Sequence, residues 1–493
     1  MTALPQETEL KLWLHPDDVD AFLDHPRLRR ARPVRLTLHT LYFDTPDLKL
    51  AKRGVALRVR KSGRLWVQTL KTEGDQSGGL SKRLELETPV GGPVLDFTQF
   101  PGKIVDKLVP VKRRACLSPV YETRFIRTAW NLRTPDGSRI EVALDVGEIV
   151  AGKRKQPICE VELELKSGKP EALLALADVL AQKILLIPYE PSKAARGALL
   201  AAGLKPRPVR AADPVLEKKM PVCAGFAAIL RADLSQLQAN LPGLLLENDP
   251  EYCHQARVAI RRLRSAARLF RKLCPIPDAQ LAEIAALGDA LGRLRDADVF
   301  VLETLPRIQA GLSPEQFGLL SRRARARRRA QRGATLAAVH SPATGACLIT
   351  LQQWLSRMES ASSEVRLDRY VAGKLEVLFD RVVMSAGNVA HYSADERHAL
   401  RVRVKRLRYA CEHFSTLTSL KKPFLSDLAE LQGRLGMMND EVVALNLIAE
   451  MNTDGRLNEA QADIEKWVNG ENSAGLSLLG ECLQLFSRNR PIW

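Results

Sequence analysis

A chain of 493 residues, 45% of them hydrophobic, is long enough for more than one core, and its net charge of +17 with a pI near 9.6 points to a polyanionic partner. Eight cysteines scattered without a C-x-x-C or a Cys/His cluster exclude a structural zinc site and suit reduced thiols. Residues 1–7 lack the basic and apolar parts of a signal peptide, and the most apolar stretch, 173–187, is too short and too interrupted to span a bilayer. A soluble cytoplasmic protein without a membrane partner is therefore expected.

The first element is a strand with one charged side. Over residues 7–14, Glu7, Glu9 and Lys11 alternate with Thr8, Leu10, Leu12 and Leu14. The pattern returns at Arg58 and Arg60, at Arg83, Glu85 and Glu87, and at Glu160, Glu162 and Glu164; weaker copies occur at Glu122 with Arg124 and at Glu141 with Asp145. Six segments thus carry ionised side chains of both signs on one sheet face. An open antiparallel sheet could show that face to water. A closed barrel would turn it inward, apolar residues outward under covering helices, and such a lumen needs a charged ligand because unpaired buried ions are costly.

Between these strands, 16–23 reads as a short helix, 39–46 as a strand entering a Pro-marked turn, and 55–61, 65–71 and 81–88 as a meander. A helix is expected at 101–109, strands at 120–130, 139–146 and 160–166, and an amphipathic helix at 170–183. Gly147 to Lys153 fits the first seven positions of a phosphate-binding P-loop, but Arg154 replaces the Ser or Thr that would hold magnesium and a strand follows, so a hairpin link is expected. Residues 204–214 carry Pro206, Pro208 and Pro214 among charges, which marks a linker between a first domain at 1–203 and a second at 215–493. Both halves are basic, +10 up to residue 213 and +7 beyond it, so clustering and not bulk charge must discriminate.

The second domain is helical and duplicated. Adding 144 to His254, Arg257, Arg262, Arg264 and Phe270 lands on His398, Arg401, Arg406, Arg408 and Phe414, and the same offset carries Leu287, Leu291, Gly292, Asp296 and Val299 onto Leu431, Leu435, Gly436, Asp440 and Val443. The repeats run from about 220–345 and 365–489. In the first, His254, Arg257, Arg261, Arg264 and Arg268 form a basic stripe opposite Ala259, Leu263, Ala266 and Phe270; in the second, His398, Arg401, Lys405 and Arg408 repeat it. Stacked helical hairpins could join the two stripes into one basic surface. A denser run, Arg322 to Arg332, goes around its helix instead of along one side and reads as solvated.

A triphosphate carries about four to five negative charges and needs Arg and Lys from several directions. Lys11, Arg58, Arg60, Lys71, Arg83, Arg124 and Lys193 are the candidates, with Arg127 competing with Arg124 for one role. Hard divalent cations take carboxylate oxygens, which Glu7, Glu9, Asp145, Glu160 and Glu162 would supply. A carboxylate would then orient water for in-line displacement. With 5% aromatic residues and stripes free of stacking side chains, base recognition in nucleic acid is not expected.

The set Glu7-x-Glu9-x-Lys11, Leu57-Arg58-Val59-Arg60, Lys71, Asp145, Glu160-x-Glu162 and Lys193 resembles the CYTH family, the triphosphate tunnel metalloenzymes. The resemblance covers about residues 1–203 and implies an eight-stranded antiparallel tunnel that cleaves a triphosphate with magnesium, or manganese, using Glu7, Glu9, Lys11 and Glu162 as catalytic residues. His254-x-x-Arg257-x-x-x-Arg261 and His398-x-x-Arg401-x-x-x-Lys405 resemble a CHAD domain, which implies two four-helix bundles and binding of inorganic polyphosphate, with Arg295-Asp296 part of the pattern. The order resembles bacterial CYTH-CHAD inorganic triphosphatases, cytoplasmic proteins that could sit at polyphosphate granules. Open alternatives are a polyphosphate-binding scaffold without turnover, and an enzyme for thiamine triphosphate, nucleoside triphosphates or cyclisation of ATP.

Overall fold

A computed structural model describes residues 6–359, 364–385, 389–418, 420 and 422–491. They divide into two compact units, residues 1–208 with 340–353, and residues 209–339 with 354–493. The stretch 340–353, which the repeat spacing places at the end of the first helical copy, belongs to the β-rich unit.

The first unit begins with β1 (Gln6–Leu14), α1 (Val19–Leu23), β2 (Val34–Asp44), β3 (Val55–Ser62), β4 (Leu65–Thr72), β5 (Asp75–Ser77) and β6 (Leu80–Val90). It continues with α2 (Gly102–Leu108), α3 (Val111–Arg114), β7 (Ser118–Arg133), β8 (Arg139–Ala151), β9 (Arg154–Ser167), α4 (Glu171–Ala181), β10 (Leu186–Pro188) and α5 (Lys193–Ala201). Eight antiparallel strands close in the order β1-β9-β8-β7-β2-β3-β4-β6, and β6 pairs back onto β1 through Glu7↔Arg83 and Glu9↔Ser81. Short β10 and β5 are appended to β1 and β6. Closure leaves no edge in the ring and fixes which alternate side chains see the lumen.

The outward residues are the apolar ones. Leu10, Leu12 and Leu14 of β1, Val142 and Leu144 of β8, and Val161 and Leu163 of β9 pack with Phe22 of α1, Leu173, Leu176 and Leu180 of α4, and Ile349. On another side Leu57, Val59, Leu70 and Leu86 pack with Phe100, Val105 and Val109 around α2. Each fully buried Leu or Val of this shell contributes about 1.5–3 kcal/mol. The P-loop look-alike is a hairpin link, as expected: Gly147 lies inside β8, and Gly152, at φ +60°, makes the turn between the paired Ala151 and Arg154.

A third cluster lies inside the barrel. Leu38, Tyr42, Tyr121, Phe125, Ile149 and Ile158 point into one end of the lumen and meet Ala194, Ala198 and Ala201 of α5. They form an apolar plug. Gly197 of α5 is obligatory there, because a Cβ would stand 2.2 Å from the Tyr121 ring.

The second unit is helical. It contains α6 (Val222–Leu246), α7 (Pro250–Phe270), α8 (Asp278–Val299), a single π-helical turn (Phe300–Thr304), α9 (Leu305–Ile308) and α10 (Pro314–Val339). After α11 (Pro342–Glu359), shared between the units, come α12 (Leu367–Val383), α13 (Ala394–His413), α14 (Lys422–Met451) and α15 (Asn458–Arg488). Helices α6, α7, α8 and α10 pack as one four-helix bundle and α12 to α15 as another, with α7 touching α13. The arginine run lies on α10, where Arg323, Arg327 and Arg328 pair with Asp454, Glu450 and Asp298.

Candidate active site

Beyond the plug the lumen is lined mainly by charged side chains, and the cavity there, which also touches Tyr42, Tyr121 and Ala194 of the plug, measures about 620 Å³. At its inner end Asp145 of β8 and Glu160 of β9 are fully buried, with Glu162 one strand step further along. Oxygen atoms of these three carboxylates lie within 4.8 Å of one another. Ser192 caps α5 and sets its first turn against them, so that Lys193 Nζ lies 2.7 Å from Asp145, 2.5 Å from Glu160 and 2.8 Å from Glu162. Arg127 of β7 donates Nε and Nη2 to the two Asp145 oxygens at 2.8 and 2.7 Å and also reaches Glu162, while Arg196 holds Glu160. Burial alone would raise the Glu162 carboxyl, but Lys193, Arg127 and Lys11 hold it well below the usual carboxylate range. Burial works against the Lys193 ammonium, and the three carboxylates outweigh it and raise its pKa.

Along the opposite wall the ions interlock. Lys71 lies 2.8 Å from both Glu7 and Glu85, Arg83 bridges Glu7 and Glu9, and Arg58 faces Glu85 at 3.4 Å and Glu87 at 3.7 Å. Tyr42 lies in the same field: burial opposes its ionisation, yet Arg58 and Arg60 pull its pKa below normal.

Two lumen cations have no such partner. Among the described residues no carboxylate stands within 4 Å of Lys11 or Arg60, and Arg60 donates only to Thr40 Oγ1 at 3.2 Å. Burial, aided by Arg58 and Arg127, lowers Arg60 to about 10. Burial likewise lowers Lys11 despite Glu9, Glu160 and Glu162 nearby. Each is a cation without a direct ion pair, offset only by acids further off, Glu9, Glu160 and Glu162 for Lys11 and Asp145 for Arg60, which suits a site that takes an anion.

In the helical unit Arg257 and Arg261 of α7 form one electrostatic cluster with Arg401 and Lys405 of α13, and Asp296 and Asp440 are its acids. Arg257 faces Asp296 at 3.6 Å, and Arg261 lies over the Tyr409 ring. Burial, then Arg261, Arg401 and Arg257, push Lys405 down to about 6. His254 is also lowered, by burial and by Arg295.

A family model described as the CYTH domain matches residues 5–198, and one described as the CHAD domain matches 228–449. An inorganic triphosphatase of Haemophilus influenzae is 32% identical over 255 residues, 48% of this chain and 68% of its own. The chain is a CYTH-CHAD protein. An uncharacterized protein of Mycobacterium tuberculosis is 25% identical, over 91% of this chain and 90% of its own. The solved CHAD domain of the plant Ricinus communis superposes with a TM-score of 0.52 at 30% identity, covering 56% of this chain and 96% of that one.

The CYTH tunnel gathers most of the expected side chains: Glu7, Glu9, Lys11, Arg58, Arg60, Lys71, Arg83, Glu162 and Lys193 line the cavity, with Asp145 and Glu160 buried behind them. Arg124 does not join them. It lies on the outer face of β7, exposed and paired to Glu122, which also meets His39. Arg127, three residues on and opposite Asp145 in the ladder, is the inward one. The expectation for Arg124 fails because Tyr121 and Phe125 read as outward core residues, whereas they are the plug. Glu7 and Glu9 are set apart from the Asp145, Glu160 and Glu162 group and are taken up by Lys71 and Arg83. Arg196 was missed altogether, although its spacing of three from Lys193 places both on one face of α5.

The CHAD stripes are only partly joined. Arg257, Arg261, Arg401 and Lys405 converge, but Arg408 turns to Glu412 at 2.7 Å and Arg295 to Glu303 at 3.0 Å. Arg264 runs beside Gly288, and His398, at the start of α13, shows no ion pair.

Proposed function

We propose that the protein is a magnesium-dependent inorganic triphosphatase whose tunnel hydrolyses triphosphate to diphosphate and phosphate, and whose CHAD domain binds inorganic polyphosphate. The observation that carries the first half is the pair of cations without a direct ion pair, Lys11 and Arg60, in the same lumen as a close trio of carboxylates. The named relative supports the choice of inorganic triphosphate over organic triphosphates.

Asp145, Glu160 and Glu162 fit a hard divalent cation, being oxygen donors only and close enough to share one ion. Such an ion supplies charge neutralisation at phosphate oxygens and a water made acidic enough to attack at neutral pH. The chain does the rest. Lys11 and Arg60 bind the bridging and terminal oxygens, and Arg58, Lys71 and Arg83 exchange part of their carboxylate contacts for phosphate. Lys193 holds α5 on the carboxylates, and the plug keeps bulk water out of that end, which strengthens every contact inside. Glu162, which faces Lys11 across the β1–β9 ladder, is the carboxylate placed to orient the attacking water. For the CHAD half, Arg257, Arg261 and Arg401 present three like charges around Lys405 with too little acid among them, and a polyanion relieves that repulsion.

The test is phosphate release from triphosphate with magnesium, manganese and chelator, alongside ATP and thiamine triphosphate. Metal-dependent release from triphosphate with Glu162→Gln inactive and still folded supports the proposal. No release from any substrate in any metal would reduce the protein to a binding scaffold.

A further inference from the structure

The two halves of the helical unit are related by their offset of 144, and the relation breaks at one buried charge. In the first half Arg262 is 3% exposed and its charge is met by two carboxylates, with Nη2 left unpartnered. Its Nε donates to Asp233 Oδ1 at 2.9 Å and its Nη1 to Glu412 Oε2 at 2.8 Å, while His413 Nε2 stands 3.0 Å from Asp233 Oδ2. The counterpart of Arg262 is Arg406, and every neutralising partner has been replaced. The buried residues Phe226, Leu230, Leu234 and Leu237 of α6 match Val371, Leu375, Phe379 and Val382 of α12 at an offset of 145, which puts Leu378 where Asp233 stands. Subtracting 144 from His413 and Glu412 gives Leu269 and Arg268. An acid has become a base.

Two more arginines are added at this place. Arg381, Met384, Ser385, Arg403 and Arg406 line a cavity of about 380 Å³, with Arg403 anchored on the Ser385 hydroxyl. No carboxylate stands within 4 Å of Arg268, Arg381, Arg403 or Arg406 among the described residues, and the buried Nε of Arg406 has no hydrogen-bond partner. Burial first, then Arg268, Arg381 and Arg403, depress the Arg406 pKa. Arg268, Arg381 and Arg403 are exposed and Arg406 is half-buried, and Arg381, Arg403 and Arg406 converge on one concavity from α12 and α13. Arg403 and Arg406 also lie off the stripe formed by His398, Arg401, Lys405 and Arg408.

We propose that this cavity is a second, discrete anion site that takes a phosphate-class oligoanion of about diphosphate size, separate from the tunnel and from the paired CHAD stripes. The planar forks of several guanidinium groups match tetrahedral oxyanions, and the absence of aromatic rings among the lining residues argues against a nucleobase on the ligand. Free diphosphate and the terminal groups of a polyphosphate chain share this chemistry.

The experiment is calorimetric titration of the full chain at fixed salt with inorganic diphosphate and, separately, with long-chain polyphosphate. Arg403→Ala/Arg406→Ala is expected to bind at least one of them tenfold or more weakly, with triphosphate hydrolysis unchanged. Loss for diphosphate identifies the free anion as ligand, and loss for polyphosphate alone identifies the chain end. Equal binding of both ligands to variant and wild type overturns the site. Arg381→Leu gives an independent reading: its Tm should rise in phosphate-free buffer, because repulsion is removed, and gain less from diphosphate than wild type does. An unchanged diphosphate-induced gain in Tm also overturns it.

Discussion

Arg127 on β7 and Asp145 on β8 face each other across one rung of the ladder, and the guanidinium clasps both carboxylate oxygens at 2.7 and 2.8 Å. Asp145 is fully buried, so this clasp and Lys193 are what keep it ionised inside the barrel: burial would raise its pKa, and the two cations lower it. Arg127→Ala is expected to cost about 1–3 kcal/mol, less than a fully orphaned buried charge because Lys193 remains. Arg124→Ala, on the outer face, should stay within about 0.5 kcal/mol of wild type and keep full triphosphate affinity. Urea titration and triphosphate binding of the two variants check this; a larger loss for Arg124→Ala would mean that the inward and outward assignments are reversed.

Lys11 and Arg60 set the opposite expectation. Lys11 is buried and Arg60 half-buried, each without a carboxylate within 4 Å among the described residues, so desolvation works against their charges and replacing either relieves that cost. Arg60→Met and Lys11→Met should melt at or above the wild-type temperature while kcat/KM for triphosphate falls about 100-fold or more. Lys193→Met should behave otherwise, losing both activity and stability, because Asp145, Glu160 and Glu162 would lose their common ammonium. Melting curves paired with steady-state kinetics separate the two kinds of lysine.

Much of this was legible from alternation alone. Glu160, Glu162 and Glu164 against Val161, Leu163 and Leu165 could only be a strand with a charged face, and the structure turns that face inward. Arg127 was legible only as a rival to Arg124, because its strand carries Tyr121 and Phe125 on the charged side. A lumen that is apolar at one end and ionic at the other defeats the rule that hydrophobic side chains point outward. Nor does local pattern say that Arg127 stands opposite Asp145, or that residues 340–353 pack with the barrel unit; both depend on pairings far apart in the chain. The helical repeat was visible by subtraction, yet it does not say that Arg262 meets two carboxylates while Arg406 meets none among the described residues.

Lys405 makes the CHAD surface sensitive to pH. Its ordinary pKa of 10.5 falls to about 6 in the fold, through burial and through Arg261, Arg401 and Arg257, with Asp440 opposing. Between those values the unfolded chain holds a proton that the folded one lacks, so this group makes stability rise with pH from about 6 towards 10.5. A polyanion laid on the cluster restores the proton. Binding of polyphosphate near pH 7 should therefore take up protons, measurable as a calorimetric enthalpy that depends on the buffer's ionisation heat, and affinity should strengthen as pH falls. Lys405→Met should abolish the buffer dependence; its persistence would place the titrating group elsewhere.

The last prediction concerns how α5 reaches the carboxylates at all. Gly197 lies against the Tyr121 ring so closely that a Cβ would meet it at 2.2 Å, and the Tyr121 hydroxyl donates to the Ala194 carbonyl at 2.9 Å. The plug therefore sets the depth of the helix, and the depth sets Lys193 and Arg196 on Glu160. Gly197→Val must push α5 outward or rotate Tyr121, at a cost of about 1–3 kcal/mol from overpacking. Either movement withdraws Lys193 from Asp145 and Glu162, so hydrolysis should fall with stability although no residue of the charged lumen has changed. Tyr121→Ala in the same chain opens the space again, at the price of the hydroxyl contact and part of the plug. The double variant is expected to recover activity relative to Gly197→Val, with a coupling energy in a double-mutant cycle of about 0.5–3 kcal/mol. Additive losses would show that the glycine acts through the helix backbone and not through its contact with the ring.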